Sequence, residues 1–187
     1  MLALWIILGV VVVLLIIFMA TYNGLVRLRN QVKNAWAQID VQLKRRHDLI
    51  PNLVETVKGY RDFERETLEA VTKARNVAIQ ASSAGAAERG KVEGELGAAL
   101  ARLMVVVERY PDLKANQNFL ALQEELASTE NRISFSRQYY NDSVLSYNNK
   151  TQMFPSNVIA GMTGFKAGEF FEVTAAPERE APKVSFS

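Results

Sequence analysis

The sequence predicts an all-α protein in which a single N-terminal transmembrane helix continues into an elongated antiparallel helical bundle, made of one long kinked helix and two or three further helices. Three observations predict it. No acidic or basic side chain occurs before Arg27. Downstream, apolar residues recur in alternating steps of three and four, the spacing of one helical face. No stretch of useful length alternates apolar and polar residues as a half-buried strand would.

The membrane segment comes first. Leu2 to Ala20 is almost wholly Leu, Ile, Val, Phe and Ala, broken by a single Gly9. At about 1.5 Å per residue these positions span roughly 28 Å, close to the thickness of a bilayer's hydrocarbon core. A helix is the one single-segment solution in lipid, because every backbone donor and acceptor must be paired within the segment. Leu2, Trp5, Phe18 and Tyr22 are read as the anchor, with Trp5 and Tyr22 near the two interfaces that amphipathic rings prefer. A cleavable signal peptide would need a basic leader and a small-residue cleavage motif, and neither is present. Residues 1–24 are therefore assigned to the anchor, 25–173 to the bundle and 174–187 to a disordered tail. Arg27, Arg29 and Lys33 follow the span with no acid before Asp40. They suit anionic headgroups and, by the positive-inside rule, place the bulk of the chain in the cytoplasm.

The soluble part reads as helices. One seam runs Leu25, Leu28, Val32, Ala35/Trp36, Ile39, Leu43, His47, Ile50, Val54 and Val57, and continues through Phe63, Leu68, Val71 and Ala74. Pro51 interrupts it, since proline lacks the N–H that would bond the carbonyl of His47, so a kink is expected there rather than a reversal. After a small, polar linker over residues 82–90, a second seam runs Leu96, Leu100, Leu103, Val107 and Tyr110 and ends at Pro111. A third begins near Asn116 and runs Phe119, Leu122, Leu126, Thr129, Ile133, Ser136, Tyr140, Val144 and Tyr147. Short connections favour antiparallel packing. Ser156 to Met162 is expected to form a short helix capped by Ser156 or Asn157, with Phe165, Phe170, Phe171 and Val173 lying across the bundle.

Composition narrows function. A balance of 22 basic against 20 acidic residues lacks the positive field that nucleic-acid binding needs. Zero cysteines exclude disulfides, thiolate zinc sites and iron–sulfur clusters. The single histidine, His47, cannot assemble the paired Glu-x-x-His ligands of a di-iron bundle, and an all-carboxylate set from Asp40, Asp48, Glu64 and Glu130 is the remaining metal reading. No glycine-framed nucleophile elbow and no glycine-rich nucleotide loop are present. No catalytic, cofactor or metal residue is therefore assigned. The segment around His47 resembles the phospho-accepting box of sensor kinases, which leaves a phosphorelay role as the alternative, and the basic flank leaves membrane remodelling as a third.

The charges read first as solvated helix surface, with Lys44 and Asp48, Arg65 and Glu69, and Glu69 and Lys73 each spaced i to i+4. In the other reading Asp40, Arg45 and Asp48 meet Glu130, Asn131, Arg132 and Arg137 as a polar network or partner surface.

The run from Ala35 to Val54, with Lys58-Gly59-Tyr60, Tyr110 to Lys114, Phe119 to Leu126, Thr129 to Ile133, Arg137 to Asn141, Tyr147-Asn148 and Phe154-Pro155, resembles the LemA family. The resemblance implies a bacterial, inner-membrane-anchored helical bundle without assigned catalytic residues or cofactor. It also implies envelope scaffold or accessory proteins with protein partners, a membrane metalloprotease among them. Spare apolar helix edge points to a homo-oligomer.

Overall fold

A computed structural model describes residues 1–60 and 64–173. Every regular element among them is helical: α1 (Leu2–Lys58), α2 (Arg65–Gln80), a 3-10 turn (Ala81–Ser83), α3 (Ala86–Val107), α4 (Pro111–Lys114), α5 (Gln117–Gln152) and α6 (Ser156–Thr163). The first seam is one helix as far as Lys58, running through Pro51 without reversal. It does not extend to Ala74 as expected, because Gly59 and Tyr60 break it before α2 begins. Glycine is among the poorest helix formers, and here it outweighs an apolar spacing that keeps its phase. Phe63 and the stretch read as a disordered tail, residues 174–187, lie outside the described residues.

Two further boundaries differ from expectation. The linker of residues 82–90 is shorter, since α3 already starts at Ala86 and keeps Gly90, Gly94 and Gly97 helical. Packing overrides the low propensity of those glycines. Neither Ser156 nor Asn157 caps α6: Pro155 holds the N-cap position, and the Ser156 hydroxyl donates back to the Met153 carbonyl at 3.0 Å. At its other end α6 stops on Gly164, whose φ of 75° is the left-handed cap that glycine adopts without a steric penalty.

The described residues divide into two compact units, Met1–Ile39 with Ser136–Glu169, and those of 40–135 with 170–173. In the first unit, α1 and α5 run antiparallel. Gln31 Nε2 donates to Ser143 Oγ at 3.5 Å, and the rings of Trp36 and Tyr140 lie 5.2 Å apart. Leu25 is fully buried beneath Ile159 and Ala160 of α6, with Phe165 against them. An extended run after α6 is fastened by side chains of α5. Asn148 donates from Nδ2 to the Gly168 carbonyl at 3.0 Å and accepts the Gly168 N–H at 2.8 Å, and the Tyr140 hydroxyl donates to the Glu169 carbonyl at 2.8 Å. Burial, with the Glu169 charge second, pushes the Tyr140 phenol above its ordinary pKa, so the proton it donates is retained.

The first unit also carries the apolar N-terminal stretch. Among the described residues α1 is the one helix long and apolar enough to cross a membrane, with a mean hydropathy of 3.3 over its best window and none of that window buried. A core helix of equal hydrophobicity would be covered by the rest of its own fold, and this stretch is not.

The second unit holds the main hydrophobic core, in which Ile50, Leu53, Val54 and Val57 of α1 meet Leu68 and Val71 of α2, Leu96, Leu100 and Leu103 of α3, and Phe119 and Leu126 of α5. Asn116 opens α5 by accepting the N–H groups of Asn118 and Phe119 at 2.9 and 3.1 Å, satisfying donors that the helix itself leaves unpaired. Phe171 is buried, and the adjoining Glu172 and Val173 lie against α3 where it is thinnest. A Cβ at Gly90 would fall 2.4 Å from the Glu172 carbonyl oxygen, and one at Gly94 would fall 2.8 Å from Val173 Cγ1.

Candidate functional site

Among the described residues the buried charged side chains and the histidine, Arg46, His47, Arg89 and Glu93, all fall in the second unit. Arg46 is only 3% exposed, Glu93 3% and His47 6%. Helix geometry brings them together. His47 belongs to the apolar seam of α1, and Arg46 flanks it. Stepping back along α3 from Leu96 by three and then four positions reaches Glu93 and Arg89, so the seam of α3 continues in charged residues.

Arg46 uses its fork on two helices. Nη2 pairs with the Glu93 carboxylate and donates to the Glu93 carbonyl at 3.2 Å, while Nη1 reaches both carboxylate oxygens of Glu130 on α5 at 2.9 and 3.1 Å. His47 Nε2 lies 3.1 and 3.2 Å from the two oxygens of the same Glu93. Burial alone pushes the Glu93 carboxyl up; the His47 hydrogen bond and the Arg46 charge outweigh it and hold the group below the usual carboxylate range. Glu93 is thus an ionised carboxylate in the core, matched by a guanidinium. Nearby, buried Arg89 pairs with Asp40 and donates to the Ser82 carbonyl at 3.2 Å.

The His47 backbone is held as well. Its carbonyl is the one deprived of a helical donor by Pro51, and Arg75 Nε of α2 donates to it at 2.7 Å. Pro51 therefore acts here less as a break than as the source of an acceptor that α2 uses.

The sequence-predicted residues divide accordingly. Asp40 and Glu130 do join ionic pairs, but with Arg89 and Arg46 rather than with each other's neighbours. Arg45 pairs at the surface with Glu125 at 2.7 Å, and Asp48 and Asn131 are exposed and outside the cluster. Arg137 falls in the first unit. Of the expected i to i+4 pairs, Arg65 and Glu69 meet at 2.7 Å. Arg46, Arg89 and Glu93 are buried rather than solvated, because the α1 and α3 seams carry them inward. No group of three or more His, Asp or Glu suited to a metal ion occurs among the described residues.

Chemically, the cluster consumes its own reactive groups. The phospho-acceptor reading of His47 needs a ring nitrogen open to a donor; Nε2 instead faces a buried carboxylate. The assembly binds three helices, α1, α3 and α5, through one guanidinium, and so relates their positions along their axes.

The sequence profile of the LemA family matches residues 35–186, which takes in the whole of this cluster. The chain belongs to the LemA family. Among its relatives this LemA-family chain is 27% identical over 175 residues to magnetosome protein MamQ 2 of Paramagnetospirillum magneticum, covering 81% of this chain and 64% of that one. It is 28% identical over 148 residues to protein LemA of Metamycoplasma hominis, covering 77% and 65%. To magnetosome protein MamQ of Magnetospirillum gryphiswaldense it is 27% identical over 192 residues, covering 88% and 71%. The chain spans just under two thirds of the length of the first two of these relatives.

Proposed function

We propose that this LemA-family protein is a membrane-anchored helical scaffold of the bacterial envelope, working through protein contacts and self-assembly rather than catalysis. One observation carries the reading: the same helix that bears an unburied apolar stretch also supplies Arg46 and His47 to a buried cluster whose ionic groups are spent on one another. A chain organised in this way offers an anchor and a rigid surface. Its partners are membrane lipid, further copies of itself and other envelope proteins, a membrane metalloprotease being the proposed case. Two of the relatives are named as magnetosome proteins, a name in keeping with a part in a cellular assembly rather than in a reaction. The basic flank of Arg27, Arg29 and Lys33 supports an inner-membrane location with the bulk of the chain in the cytoplasm.

The cysteine-free sequence makes the test direct. A single thiol introduced by Ser82→Cys or Ser128→Cys, both at exposed positions, is challenged in intact cells with a membrane-impermeant maleimide. Labelling only after permeabilisation supports the cytoplasmic placement, and labelling of intact cells overturns it. A scaffold that self-assembles elutes from mild detergent as an oligomer; a monomer at micromolar concentration would refute that part of the reading.

A further inference from the structure

The first unit leaves an apolar surface uncovered next to the anchor. Helix α6 turns Ile159 and Ala160 inward onto Leu25, but Val158 and Met162, one turn apart on its outer side, are 53% and 75% exposed. Met153 and Phe154, just before it, are 62% and 83% exposed. Four large apolar side chains in a ten-residue stretch are more than scattered surface residues, and nothing in their own unit covers them.

Their position identifies what does. Leu25 lies directly beyond the apolar stretch that ends near Tyr22, so the residues packed on Leu25 sit where a membrane span leaves the hydrocarbon. Phe165 confirms that height from a second side. Its ring meets Tyr22 edge-on at 5.8 Å, and the Arg29 guanidinium lies over it at 4.9 Å. Tyr22 in turn stacks on Phe18 at 6.4 Å. Aromatic rings grouped at the end of a span, with a cation above them, are the side chains that favour the bilayer interface. The charge around this region has one sign as well. Residues 21–33 and 149–166 contain Arg27, Arg29, Lys33, Lys150 and Lys166 and no acid.

We propose that α6 and the Met153–Phe154 corner form a second membrane contact, inserting Phe154, Val158 and Met162 into the headgroup and acyl boundary of an anionic bilayer beside the anchor helix. The occupant is the lipid surface that already holds α1. A short apolar face pinned next to a span needs no affinity of its own to reach lipid, because the anchor supplies the local concentration. The basic residues then face anionic headgroups within a Debye length. This inference rests on the reading of α1 as a membrane anchor.

The experiment uses the full chain reconstituted into vesicles of phosphatidylcholine and phosphatidylglycerol. Val158→Cys, Met162→Cys and, for reference, Gln38→Cys each carry one environment-sensitive label, all at exposed positions. Gln38 lies on α1 about 20 Å beyond Leu25. Labels at 158 and 162 are expected to be quenched several-fold more by brominated lipid, and less by aqueous iodide, than the label at 38. Three results overturn the proposal. Vesicle-bound protein whose labels at 158 and 162 meet iodide as freely as the label at 38 leaves the anchor intact and removes the second contact. Labels shielded from both quenchers reveal a protein partner instead. Protein that fails to float with the vesicles removes the anchor, and the second contact with it.

Discussion

The Nε of Arg75 donates to the carbonyl oxygen of His47 at 2.7 Å, and that oxygen is the acceptor which Pro51, four residues on, leaves without a helical partner. The two irregularities compensate: a proline that would weaken a helix interior is tolerated because α2 supplies the missing donor. Replacing Arg75 strands a part-buried carbonyl, so Arg75→Met is expected to cost about 1.5–3 kcal/mol, the range for a hydrogen bond to a charged group. In a Pro51→Ala background the restored N–H takes the same oxygen and the cost of Arg75→Met falls. A double-mutant cycle by denaturant unfolding measures this, and equal costs in the two backgrounds would refute the compensation.

Removing one charge from the buried pair is expected to hurt more than removing both. Glu93→Gln leaves Arg46 in the core with Glu130 as its sole counter-ion, and should destabilise the protein by about 3 kcal/mol, the lower end of the cost of breaking a buried ion pair. Arg46→Met with Glu93→Leu removes the buried charge that Glu130 alone compensates only in part, and is expected to regain much of that loss. Unfolding midpoints in detergent compare them; a double variant weaker than Glu93→Gln would contradict the argument.

Acid should act through the same carboxylate. The folded Glu93 carboxyl lies below its ordinary value, so its contribution is fully present above the unfolded value of about 4.3 and is lost as pH falls through the lower folded one. Between about pH 5 and pH 3 the stability gap between the parent protein and Glu93→Gln is therefore expected to narrow as the pH falls. Unfolding curves across that range test it, and a gap that widens on acidification would reverse the sign.

Asn148 offers a separable pair of bonds. Asn148→Asp keeps the acceptor for the Gly168 N–H and loses the donor to the Gly168 carbonyl, whereas Asn148→Ala loses both. Amide exchange at Gly168 is expected to accelerate strongly in the alanine variant and little in the aspartate variant, with a stability cost of roughly 1–3 kcal/mol for alanine. Equal exchange in the two would show that the clasp does not hold the extended run.

Much of the fold was legible in spacing alone. Leu25, Ala35, Ile39, Leu43, His47, Ile50, Val54 and Val57 are all buried on one face of α1, and Phe119, Leu126, Thr129, Ile133, Tyr140, Val144 and Tyr147 on one face of α5, as three-and-four periodicity requires. The candidate site was legible in part. His47 stands out as a polar member of an apolar stripe, and Asp40 and Glu130 are visible as candidates for a polar network, but their partners Arg89 and Arg46 are not. Glu93 and Arg89 extend the α3 stripe backwards from Leu96, but a periodicity judged by apolar residues stops where charged ones take over its positions. Arg75 could not be found that way at all, since its bond runs to a backbone oxygen and side-chain patterns carry no trace of it.

The two glycines of α3 that face the extended run constrain later change unequally. At Gly94 the obstacle to a methyl group is one branch of Val173, so a smaller residue at 173 could admit alanine at 94. At Gly90 the obstacle is the main chain of Glu172, which is present whatever side chain stands there. Position 90 is therefore closed to repair by any single partner substitution, and variation between homologues should exchange 94 with 173 while leaving 90 a glycine.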